Sequence, residues 1–348
     1  MNLTRTSLQN NSSHGDLHRK VVVITGASAG VGRASARAFA RQGALIALIA
    51  RDREALESTR DEITAMGRKA AIFPADVADS EAVFKAARDC EAQLGPIDIW
   101  VNNAMATVFS PIEDLTPDEV RRVTEVTYLG CVHGTMAALH HMRPRNRGVV
   151  VQIGSSLAYR GIPLQAAYCA AKHAARGFTD SLRTELSHAG SAIQVTMVHL
   201  PAINTPQFDW ARTHRDKLPR PVAPVYEPRA AARVVVRAAR NPKREYWLGG
   251  MTPLMILANM IVPGIMDRYL GANAVKGQAR KQDVPTGRRD NLYKPVPGAH
   301  RTEGSFSAEA RRNALLAPAP GTRIAAAVSL AFFGGLVGAA LAARIAQR

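Results

Sequence analysis

Tyr168 and Lys172 lie four residues apart in the stretch QAAYCAAK, residues 165–172. On a helix that spacing puts both side chains on one face, within reach of each other. A phenol with a pKa of about 10 is a poor acid or base at neutral pH. An ammonium held beside it favours the phenolate and lowers that value. Thirteen residues before the tyrosine, Ser155 closes the run VVVQIGS, and a hydroxyl at a strand end reaches the same point. A serine, a tyrosine and a lysine so gathered would move a proton to or from a carbonyl or alcohol oxygen. A Tyr-x-x-x-Lys pair also arises by chance on helix surfaces, so the elements around it must decide whether it is a site.

Those elements alternate between strand and helix for about 180 residues, the pattern of a doubly wound parallel α/β sheet, a Rossmann fold. KVVVIT, residues 20–25, reads as a buried parallel strand and runs into GASAGVG and then an alanine-rich helical pattern. Gly26, Gly30 and Gly32 permit a tight turn and close approach of a pyrophosphate to backbone N–H groups at a helix N-terminus. Their spacing, T-G-x-x-x-G-x-G, is not the common G-x-G-x-x-G fingerprint. The second strand, ALIALIA, is followed by Arg51 where a carboxylate would accept from the adenosine ribose of NAD. A guanidinium there pairs with a 2′-phosphate, which favours NADP over NAD, although Asp52 beside it tempers that preference. Arg33 could add to the phosphate field. Asp76 and Val77 end the third strand, where a carboxylate would accept from the adenine amino group. Asn102 and Asn103 end the fourth, at the crevice where such sheets bind ligands. One long helix is expected over 116–142, capped by Thr116 with Pro117 in its first turn, and another over 165–189.

The glycine turn, the Asn-Asn-Ala, the serine and the Tyr-x-x-x-Lys, in that order, resemble the short-chain dehydrogenase/reductase family over residues 19–250. The resemblance implies one Rossmann-fold catalytic domain interconverting an alcohol and a ketone or aldehyde with a nicotinamide dinucleotide. It implies Tyr168 as general acid/base, Ser155 as the group polarising the substrate oxygen, and Lys172 as the residue holding the nicotinamide ribose. Gly26, Ser28, Gly30, Val31 and Gly32 would surround the pyrophosphate, Asp76 and Val77 the adenine, and Asn103 the nicotinamide-side ribose. Three positions depart from the family. Thr127 stands where a catalytic asparagine is usual, Met105 where a glycine follows Asn-Asn-Ala, and Ala202 where a glycine follows Pro201, which leaves Thr205 one place short of the usual threonine. The alternative is a non-catalytic dinucleotide sensor or scaffold that keeps the fold. The family also implies a homodimer or homotetramer built through the two long helices.

Outside that core, residues 1–18 read as a polar arm without the apolar core of a secretory signal. The proline-rich stretch 201–228 reads as a substrate lid. Residues 251–266 carry no charge and are expected to form a helix over the substrate mouth, with a patch on a membrane as the alternative. Residues 268–323 show no periodicity, hold eleven basic and four acidic side chains, and read as a basic linker within an extension over 251–322. Residues 323–344 enclose twenty uncharged positions, 324–343, long enough as a helix to cross a bilayer of about 30 Å. That points to a C-terminal membrane helix and, with it, a lipophilic substrate. The net charge of +17 suits a phosphorylated cofactor or an acidic lipid surface. Nucleic acid is disfavoured by the lack of regularly spaced aromatics. Three scattered cysteines suggest neither a disulfide framework nor a metal site, and a catalytic domain facing the cytoplasm.

Overall fold

The computed structural model describes residues 16–298 and 300–318. Most of the arm over 1–18 and the whole candidate membrane helix, 323–344, lie outside the described residues. Among the described residues, no helix is long and apolar enough to cross a membrane.

Short β-branched runs make the sheet. They are β1 (Val21–Thr25), β2 (Leu45–Ala50), β3 (Ala70–Pro74), β4 (Ile97–Asn102), β5 (Val149–Ser155), β6 (Gln194–Leu200) and β7 (Glu245–Leu248). All seven pair in parallel, in the order β7-β6-β5-β4-β1-β2-β3. β1 is buried at every position, as a strand covered on both faces must be. On one face pack α1 (Gly30–Arg41), α2 (Arg53–Ala65) and α7 (Pro228–Arg240), through Phe39, Leu56, Ile63 and Val235. On the other pack α3 (Ser80–Leu94), α4 (Pro117–Thr124), α5 (Gly130–Met142) and α6 (Ala166–His188), through Val83, Cys90, Val123 and Leu182. Asp52, Asp79 and Thr116 cap α2, α3 and α4, each worth about 1 kcal/mol. The strand order reverses between β1 and β4, which opens the ligand crevice at their carboxyl ends.

Two elements differ from the sequence expectation. The single helix over 116–142 is broken by a π-helical turn, Glu125–Leu129. Within that turn the Thr127 hydroxyl donates to the Ala106 carbonyl and accepts from the Ala106 N–H, each at 2.9 Å. After it, Gly130 packs against Val77, where a Cβ would stand 2.6 Å from Val77 Cγ2.

The extension is not a linker. It forms α8 (Met251–Ile261) and α9 (Pro263–Gly277), pairs Ala279–Asp283 antiparallel with Lys217–Pro219, and adds β8 (Leu316–Pro318) antiparallel to β7. Its polar stretch is held by ion pairs and carbonyls and so shows no apolar period. Arg280 and Arg301 pair with Asp209 in the lid, Asp290 with Arg212, and Arg288 donates to the carbonyls of Asp209 and Ala211. Leu292 is its apolar pin, fully buried.

Candidate active site

The glycine turn forms because only glycine tolerates its geometry. Gly26 and Gly30 have φ of +65° and +54°. A Cβ on Gly32 would stand 2.1 Å from the Gly26 carbonyl oxygen, so α1 packs directly on the turn. Asn103 braces it: its Nδ2 donates to the carbonyls of Thr25 at 3.0 Å and Gly26 at 3.2 Å. That amide therefore serves the turn as well as lining the cavity. The N-cap of α1 is Ala29, whose side chain caps none of the first N–H groups, which leaves that helix end to meet an anion apart from the Gly30 N–H, held by the Arg301 carbonyl. This cradle fits a dinucleotide pyrophosphate, with Ser28 and Val31 on its rim.

The adenosine end is less open than the sequence implied. Arg51 donates to the carbonyls of Asn291 at 2.6 Å, Tyr293 at 2.9 Å and Leu292 at 3.3 Å. Burial holds its pKa below the usual guanidinium value. Gly30 N–H donates to the Arg301 carbonyl at 3.2 Å. Arg33 adds nothing to a phosphate field: it is buried against Glu62 and Ser58 and donates to the His300 carbonyl at 3.1 Å. Asp76 is paired with Arg122 and accepts the Ala78 N–H at 3.0 Å. Val77 is buried below it. A strap from the extension thus forms one wall of the crevice. No sequence pattern announces it, because it is gripped by its backbone carbonyls.

The three proton-transfer residues come together. β5 ends at Ser155, whose Oγ accepts the Leu157 N–H at 3.1 Å and whose side chain acts to lower the pKa of Tyr168. Tyr168 occupies the first turn of α6, and Lys172 Nζ lies 5.7 Å from its ring centroid. Lys172 is 4% exposed and donates to the Ile153 carbonyl at 2.7 Å. The lysine does not lower the tyrosine as its spacing suggested. Burial pushes the phenol well above its ordinary value, and the Ser155 side chain only partly offsets this. Burial also pushes Lys172 down to about 8, with the nearby Cys131 acting in the opposite sense. Ser156, the neighbouring hydroxyl, also lines the cavity. Thr127, spent on the Ala106 peptide, has no hydroxyl hydrogen left for a relay behind Lys172.

One cavity of about 730 Å³ joins all of this. It runs from Gly26 and Arg51 past Asn103, Met105 and Thr205 to Ser155, Tyr168 and Lys172, then on between Met251, Leu254, Met255 and Leu270 of the extension. The uncharged run 251–266 was the one sequence signal for that far wall. Among the described residues no cluster of His, Cys, Asp and Glu could hold a metal, and the three cysteines are free.

A family model described as short chain dehydrogenase matches residues 20–216. The uncharacterized oxidoreductase YxnA of Bacillus subtilis is 32% identical over 286 residues, covering 82% of this chain and 80% of that protein. Dehydrogenase/reductase SDR family member 7B of Bos taurus is 32% identical over 272 residues, covering 75% of this chain and 83% of that one. Among solved structures, an alcohol dehydrogenase of the archaeon Thermococcus sibiricus, complexed with 5-hydroxy-NADP, superposes with a TM-score of 0.58 at 27% identity, over 66% of this chain and 95% of its own. A metagenomic short-chain oxidoreductase in complex with NADP gives 0.56 at 28% identity, over 66% and 96%. With the motifs, their convergence in one crevice and these relatives in agreement, the chain belongs to the short-chain dehydrogenase family and is an oxidoreductase.

Proposed function

We propose that this protein is an NADP(H)-dependent oxidoreductase that interconverts a lipophilic ketone or aldehyde with its alcohol, acting as a reductase. The observation that carries the reading is the single cavity leading from the glycine turn, past Tyr168, to the apolar walls of α8 and α9. Gly26, Ser28, Gly30, Val31 and Gly32 would hold the pyrophosphate, Asp76 and Val77 would flank the adenine, and Asn103 and Lys172 would lie on the nicotinamide side. The bound nicotinamide supplies the hydride. The chain supplies the proton and the orientation. Tyr168 is protonated at neutral pH, as a phenol at its ordinary value already is, which is the state required to donate to a carbonyl oxygen; burial raises its pKa further, so the charge gained by that oxygen must draw the proton across. The Ser155 hydroxyl polarises the same oxygen. NADP is favoured by the absence of a carboxylate at the Arg51 position and by the NADP complexes of the two structural relatives. Arg51 would exchange a strap carbonyl for the 2′-phosphate.

The non-catalytic sensor has one observation on its side, the commitment of Thr127 to Ala106. The joining of Ser155, Tyr168 and Lys172 in one crevice speaks against it. The test is NADPH against NADH oxidation over a series of ketones and aldehydes of growing apolar length. The reading expects turnover with NADPH and kcat/KM rising with chain length. Turnover of small polar carbonyls alone would remove the lipophilic substrate, preference for NADH would remove the cofactor assignment, and NADPH binding without any turnover would favour the sensor.

A further inference from the structure

Thirteen large apolar side chains are exposed among the described residues, and seven of them fall between 251 and 269, on α8, α9 and the turn joining them. Met260 is 73% exposed, Ile265 64% and Ile261 54%, with Val262 between them. A contiguous apolar surface of this kind marks an interaction site. It is also the door of the cavity, since Met251, Leu254 and Tyr269 are exposed on the outside and line the interior.

The surroundings indicate what lies against it. No charge occurs between 251 and 266, and the exposed Arg268 and Lys276 follow on α9. The acid beside them, Asp267, is paired with Arg160. Apolar side chains flanked by cations fit the acyl boundary and headgroups of an anionic bilayer, where they would lie in the plane of the surface. The helices have 11 and 15 residues, too short to span. The described chain also ends nearby: the Leu315 carbonyl accepts the Gly249 N–H at 2.8 Å, two residues before α8 begins.

We propose that the consecutive helices α8 and α9 dock on an anionic membrane surface and admit substrate to Tyr168 directly from the lipid. The proposal rests on the reading of a lipophilic carbonyl substrate and adds where that substrate comes from. The test uses the full chain with a Met260→Cys substitution carrying an environment-sensitive fluorophore, mixed with vesicles of phosphatidylcholine alone or phosphatidylcholine with phosphatidylglycerol. A blue shift with the anionic vesicles, weaker with the neutral ones and weakened by salt, is expected. An Ile261→Glu/Ile265→Glu variant should raise KM for a vesicle-borne ketone by tenfold or so while leaving turnover of a water-soluble ketone unchanged.

No shift with vesicles, with turnover of the soluble ketone intact, overturns the docking alone. No turnover of any carbonyl overturns the functional reading instead. A shift without vesicles that grows with protein concentration assigns the surface to a second copy. One without vesicles that is independent of concentration assigns it to residues 324–343. Either result overturns the membrane.

Discussion

Lys172 sits one helical turn beyond Tyr168, with its ammonium on the Ile153 carbonyl and almost no contact with water. Its pKa falls from 10.5 in a free lysine to about 8 in the fold. Between those values the unfolded chain keeps a proton that the native chain gives up, so stability rises with pH across that window. Below about pH 8 the native state carries the full penalty, on the order of 3 kcal/mol. The ligand-free protein should therefore gain urea resistance between about pH 8 and 10, within the window the cited shift defines, and Lys172→Met should remove most of that gain. Parallel pH dependences in the two proteins would contradict it. Pairing this lysine with Tyr168 and Ser155 was legible in the sequence, because a strand end and an i,i+4 pair carry their own geometry. The sense of the tyrosine shift was not, because burial is set by residues from the whole crevice. Arg51 was legible as a cation at a strand end, while its carbonyl partners, 240 or more residues away, leave no trace in side-chain pattern.

At the scale of elements, the strands and caps followed from local signals: β-branched runs for the sheet, Thr116 with Pro117 for the start of α4. The π-turn did not. Its helix reads as continuous in sequence, and the break is where Thr127 bonds the Ala106 peptide across the crevice. Thr127→Ala would leave that buried N–H and carbonyl unpaired, at a cost of about 2 kcal/mol. Thr127→Ser keeps the hydroxyl and should stay within about 1 kcal/mol of wild type. Denaturation midpoints of the two variants check this, and an alanine variant as stable as the parent would show that the bond does not hold the turn.

Over the whole molecule, the extension belongs to the catalytic fold. Its polar stretch looked like a linker because arginines and carbonyls hold it, and those interactions have no period to read. Leu292 is fully buried in it, so Leu292→Ala should cost about 3 kcal/mol and should loosen the wall of the adenosine end, weakening NADPH binding. Unfolding of the wild-type chain should remain one transition by both helicity and tryptophan emission. An earlier, separate loss of helicity that leaves NADPH binding unchanged would make the extension a distinct unit.

The central claim is that Tyr168 transfers the proton in a nicotinamide-dependent reaction. It is tested most directly by Tyr168→Phe, with NADPH binding and carbonyl turnover measured on the same preparation. Turnover should fall by about 10²–10⁴-fold while NADPH affinity stays within about threefold. A phenylalanine variant that still turns over the carbonyl at the parent rate would contradict the account.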